Sequence, residues 1–80
     1  MNEMLLERIT VDPRVMAGKP VIRGTRIPVD LLVRMVGQGI SAKKLLHEYP
    51  GLTTLDIRAA LTYAADVVAH EDVFPMPVTA

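Results

Sequence analysis

Lys19, Arg23 and Arg26 fall within eight residues, in the run Lys19-Pro20-Val21-Ile22-Arg23-Gly24-Thr25-Arg26. Guanidinium forks match phosphate and carboxylate groups in pairs. Gly24 lets the chain turn tightly between the two arginines. Such a segment suits three tasks. It can grip a nucleic-acid backbone, hold an acidic patch on a partner, or pin itself to its own domain by pairing Arg23 or Arg26 with Asp12 or Asp30. Sequence alone favours the third. Gly18-Lys19 is not a phosphate-binding loop, because the full glycine spacing and the Ser/Thr after the lysine are missing.

The remaining chemistry-bearing residues are sparse. His47 and His70 are far apart in the chain and there is no cysteine, so no metal-ligand spacing is present. His70 is explained by its position near a helix C-terminus, where the dipole favours a cation. No Ser-His-Asp or paired-carboxylate arrangement can be assembled from these residues. The expectation is therefore a protein with no catalytic residues, no metal and no cofactor, which binds rather than catalyses. A small nuclease is the distant alternative, and it lacks a carboxylate cluster.

The bulk properties agree with a binding role. The 80 residues make one compact domain, and a chain of this size buries only roughly 60–65% of the surface it exposes unfolded. Yet 50% of the residues are hydrophobic. That surplus implies a second chain, either a copy of itself or a different partner. Disulfides and thiolate metal sites are excluded. Met1 to Thr10 carries Glu3 and Glu7 and has no secretory core, and no uncharged stretch is long enough to span a membrane, so a cytoplasmic location is expected. The net charge is zero but unevenly spread. Residues 1–46 hold eight Lys/Arg against four Asp/Glu, and residues 47–80 hold one against five. The basic half could face phosphates and the acidic half something cationic, or both could be ordinary solvated surface.

The elements that would position these groups read as follows. Residues 1–27 form an N-terminal arm. Within it, Arg8-Ile9-Thr10-Val11 alternates like a short strand, Asp12-Pro13 breaks it, and Val21-Ile22 suggests a second strand closed by Gly24. Two short strands are unstable alone, so this ribbon must lie on something. Residues 28–70 read as three helices. Pro28 suits the first turn of a helix. Val29, Leu32, Val33 and Val36 follow at helical spacing, and Gly37 and Gly39 end it. Ser41 caps a second helix, with Ala42, Leu45, Leu46 and Tyr49 at i, i+3, i+4 and i+7. Pro50-Gly51 stops it. Thr53 and Asp56 make a capping-box-like start to a third helix that runs to about His70. Its apolar stripe is Ile57, Leu61, Ala64 and Val68, with Ala60 and Val67 beside it, and its polar side is Asp56, Arg58, Thr62 and Asp66. The fold class is mainly α: a short β arm, then a three-helix bundle with the outline of a helix-turn-helix.

If this chain binds DNA, two groups of candidates follow. The arm offers Lys19, Arg23, Thr25 and Arg26. The third helix offers Thr54, Arg58 and Thr62, of which only Arg58 suits a guanine edge. Two aspartates on that helix would repel phosphates. Residues 71–80 form a C-terminal tail, in which Pro75 and Pro77 forbid a helix. Glu71, Asp72, Val73, Phe74, Met76 and Val78 there make a candidate partner-binding strip, or else a strip that folds back onto its own core.

The block Gly18-Lys-Pro-Val-Ile-Arg-Gly-Thr-Arg-Ile-Pro-Val29 resembles the family called domain of unknown function 433. Ile9 and Asp12-Pro13 before it continue the likeness, as do Gly39-Ile-Ser41, Leu45, Tyr49-Pro50, Leu52-Thr53, Asp56-Ile57 and Ala60-Leu61 after it, so it covers roughly residues 8–77. The resemblance implies a homeodomain-like helix-turn-helix fold. It further implies the antitoxin half of a type II toxin–antitoxin pair, which binds its own promoter DNA and neutralises a PIN-like ribonuclease toxin. A homodimer is expected. In such a pair Arg23, Arg26 or Arg58 could instead enter the toxin's carboxylate site. The rival expectation is a protein-interaction module or homodimerising domain that binds no DNA.

Overall fold

The computed structural model describes residues 3–70. Four helices and a two-stranded antiparallel sheet are present among them: α1 (Glu3–Leu6), β1 (Ile9–Val11), β2 (Pro20–Ile22), α2 (Val29–Gly37), α3 (Ala42–Glu48) and α4 (Thr54–His70). The mainly helical class matches the expectation. No described helix is long and apolar enough to cross a membrane.

Each element has a local cause. β1 and β2 pair with Ile9 opposite Ile22, Thr10 opposite Val21 and Val11 opposite Pro20. Pro20 lacks an N–H and so sits at the ladder's end. After Ile22 the chain turns back, with Thr25 N–H donating to the Ile22 carbonyl at 3.0 Å. Gly24 takes φ +78° at the third position of that turn, a value that side-chain-bearing residues rarely adopt. The Thr25 hydroxyl locks the turn, donating to the Ile22 carbonyl (2.7 Å) and accepting from Ile27 N–H (3.0 Å). A bridge from Val21 to Pro28 then extends the ribbon to the start of α2.

The end of α2 is set by Gly39, not Gly37, which stays inside the helix. Gly39 has φ +88°. Its N–H donates to the Val36 carbonyl (3.0 Å), and Ile40 N–H donates to the Met35 carbonyl (3.1 Å). This is the paired closure of a Schellman motif, which satisfies carbonyls the helix would otherwise orphan. At α3 the Ser41 hydroxyl accepts from Lys44 N–H (3.2 Å), as its cap position predicts.

One core serves both arm and helices. Leu5, Ile9, Ile22, Val29, Leu32, Leu45, Leu52, Ile57, Ala59 and Ala60 are buried together. α2 lies against α4, whose Ala59 and Ala60 have no exposed surface. Without long side chains at these positions, helices can approach closely. α1 also rests on α4 and buries Leu5. No expectation covered α1, because a four-residue helix is too short to show a period. The stripe predicted for α4 holds at Ile57 and Ala60, which are buried, and needs correcting elsewhere: Leu61 and Val68 are exposed, and Asp56 and Ala59 complete the buried face.

Candidate functional site

The ion pairs decide which cations remain available to a partner. Arg8 Nη1 meets Asp56 Oδ1 at 3.1 Å, and Arg14 Nη2 meets Asp12 Oδ2 at 3.0 Å. Asp30 Oδ2 is shared by Lys19 Nζ (3.7 Å) and Arg34 Nη2 (3.6 Å). The arm is therefore pinned as the sequence suggested, but by Lys19 and Arg8 rather than Arg23 or Arg26. Arg23 instead donates from Nε to the Glu7 backbone carbonyl. Among the described residues Arg26, Lys43, Lys44 and Arg58 are exposed and make no ion pair.

The arm's candidates do not converge. Arg23 borders a hollow with Arg8 and Asp56, Arg26 and Thr25 border a second with Thr10 and Asp12, and Lys19 borders a third between α2 and α4. The Thr10 hydroxyl is shielded from solvent and has no hydrogen-bond partner among the described residues. The hydroxyl of Thr25 is occupied by the turn it locks. On α4, Thr54, Arg58 and Thr62 recur every four residues and so share a face about 12 Å long. Thr54 and Arg58 are exposed and Thr62 is half-buried. α3 supplies cations that the sequence reading passed over: Lys43 and Lys44, with His47, line a shallow hollow on its outer side. Their adjacency at the start of an amphipathic helix was the available signal. Asp56, expected on the polar side of α4, is buried and turned to Arg8 and Thr53. Asp66 meets His70 Nδ1 at 3.6 Å at the C-terminal end of α4. The tail candidates Glu71, Asp72, Val73, Phe74, Met76 and Val78 lie outside the described residues.

Asp12 and Arg14 pair at the surface of the arm, and the pairing shifts their titration. The Arg14 side chain, then its backbone N–H, hold the Asp12 carboxyl below the usual aspartate range. A depressed folded value means the contribution is present above the unfolded pKa and is lost as pH falls through the folded one. An NMR titration should place the Asp12 midpoint below that of an unstructured peptide, and Arg14→Ala should raise it. An unmoved midpoint would show that the pair does not form in solution.

Between α2 and α4 runs an open, almost wholly apolar groove of about 600 Å³. Pro20, Val29, Val33, Tyr63, Ala64, Val67 and Val68 line it, with Lys19, Asp30 and Arg34 at the rim. Among the described residues no group of three His, Asp or Glu is placed to hold a metal.

Known proteins share this chain's pattern. A family model described as a protein of unknown function, DUF433, matches residues 9–64. An uncharacterized protein of Sinorhizobium fredii, y4eO, is 40% identical over 58 residues, which are 72% of this chain and 26% of that protein. An uncharacterized protein of Archaeoglobus fulgidus is 67% identical over 30 residues, 38% of this chain and 83% of that one. The chain thus spans about a quarter of the Sinorhizobium relative. The crystal structure of a DUF433 member from Anabaena variabilis superposes with a TM-score of 0.74 at 43% identity, covering 84% of this chain and 66% of that one. Sequence and fold agree, and this chain belongs to the DUF433 family.

Proposed function

We propose that this protein is a DNA-binding antitoxin that presents its α3–α4 pair to promoter DNA as a helix-turn-helix, acts as a homodimer, and holds a PIN-like ribonuclease partner inactive. One observation carries the DNA part. Lys43, Lys44 and Arg58, exposed and without ion pairs among the described residues, lie on two helices joined by the five residues 49–53. Such a pair can set one helix across the backbone and the other in the major groove. Burial of Asp56 removes a repulsive charge from the reading helix. The toxin and the autorepressor role rest on the family resemblance.

Affinity for upstream DNA should fall steeply with salt, by about 0.9 log unit per phosphate contact for each log unit of salt. Replacing Lys43, Lys44 and Arg58 together by alanine should flatten that slope by about two to three. The pair Arg23→Ala and Arg26→Ala should change it less. If only the second set flattened the slope, the arm would be the DNA contact.

The second reading is a protein-interaction module that binds no DNA. The apolar α2–α4 groove favours it, since exposed apolar concavities on small domains mark binding sites. Absence of DNA binding at physiological salt, with a stoichiometric protein partner on co-purification, would select this reading.

A further inference from the structure

We propose that residues 71–80 of the same chain occupy the α2–α4 groove. The groove has apolar walls from Val33, Tyr63, Ala64 and Val67, all partly exposed, over the buried Val29. α4 ends at His70, two residues beyond Val68 on the groove wall. The tail is long enough to return. Residues 71–78 span up to roughly 27 Å extended, while the wall from Tyr63 to Val68 is about 8 Å of helix.

The tail's composition fits the groove in three ways. Phe74 and Met76 each precede a proline, which biases both to extended backbone. In that conformation Phe74, Met76 and Val78 point to one side. Pro75 and Pro77 have no N–H, so an apolar groove has fewer backbone donors to leave unsatisfied. The charges also agree. At the rim one carboxylate, Asp30, is shared by Lys19 and Arg34, which leaves one positive charge uncompensated. Glu71 and Asp72, at the start of the tail, supply the opposite sign. A second copy is a poorer occupant. Two-fold pairing would set one concave face against another, and neither would be filled.

The proposal is independent of the DNA and toxin readings, and a groove filled by the tail removes the support it lends to the protein-interaction reading. Phe74 is the chain's one phenylalanine, so its ring protons are an unambiguous NMR probe. In the intact protein they should show NOEs to the methyls of Val33, Ala64 and Val67, unchanged on dilution and absent from an isotope-filtered experiment that sees only contacts between molecules. Phe74→Asp should abolish these contacts and raise binding of an apolar dye several-fold, with hydrogen exchange at Leu32 unaltered. Missing NOEs, or NOEs found only between molecules, would overturn the proposal. Unchanged dye binding in Phe74→Asp would do the same.

Discussion

Truncating Leu32 to alanine should cost about 2–5 kcal/mol of folding stability, as large an effect as is expected from one truncation among the described residues. Leu32 has no exposed surface and lies in the core formed with Leu45, Ala59 and Ala60. The residues around it are held by two helices, so the cavity left behind cannot collapse fully. Native domains retain only about 5–15 kcal/mol in total, and small ones lie near the bottom of that range. Thermal unfolding should move down by about 4–8 °C for each kcal/mol lost. Circular dichroism through a thermal or urea transition would read the change. Val11→Ala is the control, since Val11 is 56% exposed, lies outside the α2–α4 groove and should cost within about 0.5 kcal/mol. Similar losses at the two positions would mean that the α2–α4 contact is not the centre of the core.

How much of this was visible in the residue order depends on how local the cause is. α2, α3 and α4 follow from caps and 3.6-residue periods that each lie within one segment, and their predicted bounds agree with the structure to a residue or two. The ribbon followed from turn residues at Asp12-Pro13 and Gly24. The face of α4 followed only in part, because alanine is compatible with either side of a helix. Ile57 and Ala60 fall on the predicted side, but Leu61 and Val68 look as good as Ala59 for completing it until α2's position is known. Partner choice among charges was equally hidden. Lys19 and Arg23 look alike in sequence, yet one meets Asp30 and the other the Glu7 carbonyl. The α2–α4 groove needs two elements at once, so no single stretch announces it.

Asp56→Ala should cost about 2–3 kcal/mol, more than an ordinary capping residue, because this carboxylate serves two elements. Its Oδ2 accepts from Thr53 N–H at 2.9 Å while the Thr53 hydroxyl accepts from Asp56 N–H at 3.2 Å, a reciprocal box at the start of α4. Its Oδ1 receives Arg8 Nη1 at 3.1 Å, which ties the segment between α1 and β1 to the same turn. The Asp56 side chain is 9% exposed and that of Arg8 is 37% exposed. Arg8 can therefore regain water when Asp56 is removed, whereas Asp56 stripped of Arg8 stays shielded with fewer donors. The cost of Asp56→Ala thus comes mainly from the orphaned Thr53 N–H and the lost cap, and the ion pair adds the smaller part. A double-mutant cycle with Arg8→Ala should give a coupling of about 0.5–1.5 kcal/mol. Asp56→Asn should recover less than half of the loss, since one of its two ends becomes a donor facing either Thr53 N–H or Arg8. Full stability in the Asn variant would show that the carboxylate charge is not needed. The same residue bears on the DNA binding proposed above, because a buried Asp56 does not face phosphates, and Asp56→Ala tests this. Its removal should leave DNA affinity unchanged in the folded population, and a rise in affinity would place the side chain on the α4 surface instead.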